Sequence, residues 1–188
     1  SKNEPIPANN WRQGQSMLIV DWSNPAAPHY LRTYGLVGTQ PGATGPVPLA
    51  LHGAISAHEH PNAAGKLASG LDVIGNRVYA AWGVGDEGVM EILDRNKLLP
   101  PPFGSYAGDR DKPTATDLLS AQVGRMDMSP DQGGHTAMPV FGMKPASALS
   151  YNDERQTRDI VLLASEATSN LCREAPHWSF IVDVTVEN

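Results

Sequence analysis

Short apolar segments that each end in an aspartate recur along the chain. They read MLIVD, MEILD and FIVD, and they end at Asp21, Asp94 and Asp183. Runs of four or five residues rich in Ile, Val and Leu favour buried strands over helices. An aspartate after a strand typically accepts hydrogen bonds from the backbone of the following turn. We therefore predict three strands here and a structural role for the three aspartates.

Further strand-like segments flank these runs. RVYAAW begins at Arg77 and DIVLLA at Asp159, each upstream of an aspartate-terminated run, and PHYLRTY follows the first run. The link GVGDEG at residues 83–88 is glycine-rich, as expected of a hairpin that needs positive φ angles. ATDLLSAQV at residues 115–123 is the one predicted short helix. The predicted strands are residues 18–20, 78–81, 89–93, 160–163 and 180–182.

Two histidines open the repeated units. His52 lies in the sequence LHGA and His135 in GHTA, and each precedes an aspartate-terminated strand. The resulting unit of roughly 40–50 residues fits one four-stranded propeller blade. The pattern thus predicts an all-β chain, a β-propeller segment of antiparallel four-stranded blades. It forms one propeller-like domain over residues 1–188, with residues 1–15 as an irregular N-terminal arm.

Four blocks of the chain resemble the LVIVD repeat, whose name spells its central strand. They are LIVDWSNPAAP from Leu18, GNRVYAAWG from Gly75, GGHTAMP from Gly133 and FIVDVT from Phe180. The resemblance implies a bacterial, often exported β-propeller, hence a periplasmic or extracellular location. Closed propellers use at least four blades, whereas two blades and part of a third are counted here. We expect an incomplete ring whose edges near residues 17–34 and 178–186 are covered by the remainder of the propeller or by another subunit.

Composition narrows the function classes. The chain has 18 Gly and 16 Pro in 188 residues, which favours many short elements joined by turns. The formal charge is −6 with no Lys/Arg cluster, which argues against a nucleic-acid partner. No apolar run approaches the roughly 20 residues that span a membrane. Cys172 is the single cysteine, which excludes an intrachain disulfide.

His52 and His135 are candidate metal ligands. The first strand of each propeller blade lines the central channel, so both imidazoles would face the same axis. Neutral imidazole is a common ligand of Zn, Cu and Fe, and a transition metal is the cofactor that these residues would hold. The structural alternative is that each histidine forms a hydrogen bond with the backbone of a neighbouring blade. A small molecule in the same channel is a further expected ligand.

His58 and His60 extend this hypothesis. Residues two apart in a strand share a face, so the pair would chelate a metal. An exposed loop over residues 56–65 is the alternative interpretation. Carboxylates would either join the metal or orient an imidazole from behind, and the candidates for both roles are Glu59, Glu166 and Glu174.

For the segment after Glu166, a catalytic thiol is a weaker hypothesis than a cysteine that is simply buried. Cys172, Glu174 and His177 follow closely, yet Cys–His catalysis depends on a geometry that spacing alone does not define. A lone cysteine is most often simply buried. Gly-x-Ser-x-Gly and Walker patterns do not occur in the sequence. The sequence thus favours a binding or assembly module, with a metal-dependent oxidoreductase or hydrolase as the alternative.

Overall fold

The computed structural model describes residues 10–48, 54–59, 76–83, 88–128, 132–144, 157–166 and 178–185, without the side chains of Ile55 and Glu166. A short 3₁₀ helix precedes the first strand. In chain order the elements are the 3₁₀ helix Arg12–Gly14, β1 Met17–Asp21, β2 His29–Tyr34, β3 Ala54–Glu59, β4 Arg77–Trp82, β5 Val89–Asp94, α1 Arg95–Leu98, α2 Ala115–Ala121, β6 Gln122–Asp127, β7 Gly133–Met143, β8 Arg158–Glu166 and β9 Ser179–Asp183.

The strands form three antiparallel sheets. The first sheet is β1–β2, the middle sheet is β3–β4–β5–β6, and the third sheet is β7–β8–β9. Within each sheet, the paired strands are consecutive in the sequence. The all-β prediction is confirmed, and every predicted strand lies within an observed one. The predicted helix over residues 115–123 is α2, which ends two residues earlier because the chain enters β6 at Gln122.

The three aspartates do close their strands by turn hydrogen bonds. The Asp21 carboxylate accepts from the Ser23 backbone N–H at 2.8 Å, and Asp183 accepts from the Thr185 N–H at 2.9 Å. Asp94 caps α1 by accepting from the Lys97 N–H at 3.1 Å. Because the carboxylate satisfies an amide that leaves the sheet ladder, each strand ends at its aspartate. This prediction is confirmed.

The middle sheet is covered on both faces. Successive side chains of a strand point to opposite faces, and along β5 Val89 and Leu93 join one buried cluster while Met90 and Ile92 join another. The first core lies between the first and middle sheets, and α2 also packs on it through Leu118. The second core lies between the middle and third sheets. The molecule is therefore a stack of three sheets with two buried interfaces.

Glycine lets the middle and third sheets approach closely. The Gly88 N–H donates to the Gln132 carbonyl at 2.7 Å. A Cβ built on Gly88 would lie 2.0 Å from the Gly134 nitrogen, and one built on Gly134 would lie 2.5 Å from the Trp82 carbonyl oxygen. Both distances are far inside van der Waals contact, so these positions exclude any side chain.

The N-terminal arm is more ordered than expected where it is described. Trp11 is 6% exposed and belongs to the first core. The Arg12 guanidinium donates to the carbonyls of Gly38 at 3.0 Å and Gly45 at 2.8 Å. Residues 10–15 are thus tied to the loop after β2, while residues 1–9 lie outside the described part. No helix among the described residues is both long and apolar enough to cross a membrane.

Candidate functional site

The predicted metal ligands are only partly within the described chain. His135 lies in β7, partly buried, with its Nδ1 2.7 Å from the Thr136 hydroxyl. His58 lies in β3, also partly buried. Glu166 ends β8, but its side chain is outside the described atoms. His52 and His60, like Cys172, Glu174 and His177, lie outside the described residues. The metal site therefore stays a prediction.

Among the described residues, no group of three or more His, Cys, Asp or Glu side chains is arranged to hold a metal ion. The loop interpretation of residues 56–65 is wrong as far as Glu59, because residues 56–59 belong to β3. Glu59 forms an ion pair with Arg95, with its carboxylate 3.3 Å from the guanidinium Nε. This ion pair engages one carboxylate that the sequence offered for metal binding.

The strand register allows the first strands of the middle and third sheets to be aligned residue by residue. Gly134 pairs with Ser165 in the third sheet, as Ala54 pairs with Trp82 in the middle sheet, and each is followed by a register shift. The residue at that irregularity is His135 in β7 and Ile55 in β3. The register therefore aligns His135 with Ile55. Because His52 lies outside the described residues, its equivalence with His135 stays a prediction.

A shallow cleft of about 280 Å³ opens between the first and middle sheets. It has an apolar floor, and Trp22, which is 63% exposed, stands at its edge. The Glu59–Arg95 ion pair and the Asp21 carboxylate supply its polar groups. Hydrogen bonds from Ser23 hold the pKa of Asp21 below its usual value, so this carboxylate stays ionised at neutral pH. The cleft is lined by Ile19, Val20, Asp21, Trp22, Ser23, Leu31, Glu59, Arg95, Leu99 and Phe103.

Glu91 is a buried titratable group that the sequence analysis did not single out. It lies at the centre of β5, on the face that packs in the first core, and is 1% exposed. Its Oε2 has no hydrogen-bond partner among the described residues. Burial raises the pKa of Glu91 to about 8, although the Arg125 charge and the Trp82 indole lower it. At neutral pH this carboxyl is therefore protonated, and the first core holds a neutral acid.

Arg32 is a second buried polar group in the same core. It is fully buried on β2, and its guanidinium carbon lies 3.4 Å from the centroid of the Tyr106 ring. Nη1 donates to the Leu98 carbonyl at 3.1 Å, whereas Nη2 has no hydrogen-bond partner among the described residues. Cation–π contact and carbonyl acceptors compensate in part for the lost hydration of the charge. Because it is fully buried, the Arg32 side chain belongs to the interior of the stack and not to an exposed surface.

Each of the two outer faces of the stack carries exposed apolar side chains. We define the rear face of each sheet as the one bearing the isoleucine two residues before its aspartate, and the front face as the opposite one. On the rear face of the third sheet, Met138, Leu162 and Ile181 pair across β7, β8 and β9. We call these three residues the rear row. They are 44%, 42% and 71% exposed.

The front face of the first sheet is also apolar and exposed. Leu18 and Val20 on β1 are 46% and 43% exposed, and they point away from Ile19, which packs against the first core. We call them the front pair. Trp22 follows them, and Trp178 precedes β9 with 55% exposure. Trp82, which also lies at a strand end, is in contrast fully buried.

Comparison of the chain with known proteins finds no relative. No family model, no curated protein and no solved structure matches the chain. The LVIVD resemblance therefore stays a prediction.

Proposed function

We propose that this chain is a binding or assembly module, a segment of a β-propeller whose outer sheets bind further sheets of the same repeat. The bacterial, exported setting that the LVIVD resemblance implies is part of this proposal. The sequential order of the middle sheet and the rear-on-front stacking of the three sheets are both typical of propeller blades. The exposure of repeat-equivalent residues is the observation that carries the proposal.

Equivalent positions are buried inside the stack and exposed at its ends. The aspartates align Ile92 of the middle sheet with Ile181 of the third sheet, and these are 7% and 71% exposed. Their paired neighbours are Tyr79 and Leu162, which are 0% and 42% exposed. The third sheet thus presents outward the same positions that the middle sheet buries under its neighbour.

The front faces repeat this relation. Leu18 and Val20 of β1 align with Glu91 and Leu93 of β5. The β5 residues are 1% and 0% exposed, against 46% and 43% for the front pair. Covering a half-exposed aliphatic side chain contributes about 1 kcal/mol, so the three residues of the rear row offer about 3 kcal/mol to a partner sheet and the front pair about 2 kcal/mol.

A tandem protein tests this function. Two copies of the chain joined by a flexible linker of about 20 residues place the third sheet of copy one near the first sheet of copy two, because a linker raises effective concentration. We expect the urea unfolding midpoint of the tandem to exceed that of the single chain. Ile181→Asp in copy one should abolish the gain.

Leu119→Asp is the matched control. Leu119 is 51% exposed but lies on α2, away from both outer faces. The substitution adds the same charge in place of an exposed apolar side chain, so the tandem should keep its gain. Equal midpoints for the tandem and the single chain would reject the proposed function.

A further inference from the structure

We infer that the partner of each outer face is a second copy of this chain, docked head to tail, with the rear row of one copy on the front pair of the next. The inference rests on the proposed function and names its partner. The inference requires that the rear face of one copy fit the front face of the next, as rear and front faces already fit each other inside one chain.

The described molecule contains that interface type twice. In the first, Met17 and Ile19 on the rear face of the first sheet pack against the cluster that includes Val89 and Leu93 on the front face of the middle sheet. In the second, the rear face of the middle sheet meets the front face of the third. Its members are Tyr79, Met90 and Ile92 on one side, and Val161, Leu163, Phe180 and Val182 on the other.

The composition of the two uncovered faces suits the same arrangement. The rear row offers a large aliphatic or thioether side chain from each of three neighbouring strands of the third sheet. These positions correspond to positions on the rear face of the middle sheet. The front pair offers Leu18 and Val20, apolar residues where Phe180 and Val182 serve in the third sheet. A rear row on a front pair would therefore resemble the second internal interface, whose two sides are also built mainly of hydrophobic side chains.

The described part of one chain presents one exposed apolar face of each kind. A contact between different faces is heterologous, so it continues from copy to copy and ends only in a closed ring or an open filament. Rear-on-rear or front-on-front pairing would instead give a closed two-fold dimer. The two arrangements differ in how blocked variants behave when they are mixed.

Charge substitutions can block one face at a time. Ile181→Asp blocks the rear row and leaves the front pair intact, whereas Val20→Asp does the reverse. Both residues are exposed, so the fold should persist, and far-ultraviolet circular dichroism checks this. Leu162→Asp is a second rear-blocking variant should Ile181→Asp unfold.

Sedimentation velocity at up to about 100 μM reads out the result, since an interface of micromolar affinity is nearly filled there. The wild-type chain should form species larger than its 20.1 kDa mass. Each blocked variant alone should sediment as a monomer. An equimolar mixture of the two should form a one-to-one dimer, because each supplies the face that the other lacks. Leu119→Asp should associate as the wild type does.

Two results would overturn the inference. If either blocked variant still dimerises alone, like faces pair and the head-to-tail arrangement is wrong. If the wild-type chain is a monomer over the whole range, the partner is not a second copy. The tandem experiment remains informative in both cases, because a linked copy that stabilises its neighbour would preserve the proposed function without association between separate chains.

Discussion

The two internal interfaces share one geometry but differ in chemistry. The first encloses Glu91 and Arg32, each with a polar atom that has no hydrogen-bond partner among the described residues. The second buries mainly apolar side chains such as Met90, Ile92 and Val161, together with Tyr79, and no charged side chain belongs to its described cluster. Buried polar atoms without partners cost free energy, whereas apolar contacts add to stability roughly with the area buried. Sheets thus stack through apolar side chains at repeat-equivalent positions, and an interface between two sheets tolerates buried titratable groups such as Glu91 and Arg32.

This difference implies different sensitivities. The first interface should respond to pH and to loss of its aromatic residues, because a neutral Glu91 sits beside Tyr34 and Trp82. The second interface should respond mainly to lost volume. The following changes separate the two interfaces, beginning with the largest expected effect.

Raising the pH should destabilise the protein through Glu91. Its folded-state pKa is about 8, above the usual value near 4.3 for an unfolded chain. Between these values the folded state binds a proton that the unfolded state releases, so stability falls as pH rises. The free energy of unfolding should decrease by about 1.4 kcal/mol per pH unit, on the order of 5 kcal/mol in total. Urea unfolding at a series of pH values measures this.

Glu91→Gln is the matched control for pH. Glutamine keeps the shape of the neutral acid but does not titrate, and every other titratable group is retained. Its stability should lack the Glu91 contribution between pH 4.5 and pH 8. A variant with the same pH dependence as the wild type would show that Glu91 is not the responsible group.

Truncating the central tryptophan of the first interface should have the next largest effect. Trp82 is fully buried and its ring lies 6.2 Å from that of Tyr34. Trp82→Ala should therefore cost about 3–5 kcal/mol by loss of contacts and creation of a cavity. Trp178→Ala, at a position 55% exposed, should change stability by less than about 1 kcal/mol. Similar losses at both positions would contradict the burial difference.

The strands were predictable because alternation and terminal aspartates are local signals. The burial of Glu91 was not, since a glutamate within MEILD has the pattern of an outward-facing polar residue. It is buried only because a second sheet covers that face, which is a tertiary effect. The end of β3 was missed for a related reason. His58 and Glu59 are polar, and their pairing with Tyr79 and Val78 becomes visible only in the sheet.

A matched pair of substitutions compares the covered and uncovered rear faces. Ile92→Ala should cost about 2–5 kcal/mol because Ile92 is buried in the second interface. Ile181→Ala removes the same atoms at the equivalent, exposed position and should cost less than about 0.5 kcal/mol at low protein concentration. Urea unfolding measures both values.

Protein concentration extends this comparison. If a second copy covers the rear row, the cost of Ile181→Ala should grow as concentration rises, because binding adds to the stability of the folded state. The cost of Ile92→Ala should stay constant. Equal costs for both variants in dilute solution would mean that Ile181 is already covered.

The smallest expected effect concerns α2, which packs on the first interface only. Thr114 caps this helix, its hydroxyl accepting from the Asp117 N–H at 3.2 Å while Asp117 accepts from the Thr114 N–H at 2.8 Å. Thr114→Ala removes the hydroxyl side of this capping box and should cost about 1 kcal/mol in urea unfolding. Thr116→Ala, on an exposed position of the same helix, should leave stability unchanged or slightly higher, because alanine favours helix more than threonine. Hydrogen exchange should show the Thr114→Ala loss as faster exchange at Leu118 and in the first core, with the second core unaffected. Equal acceleration in both cores would mean that the two interfaces unfold as one unit.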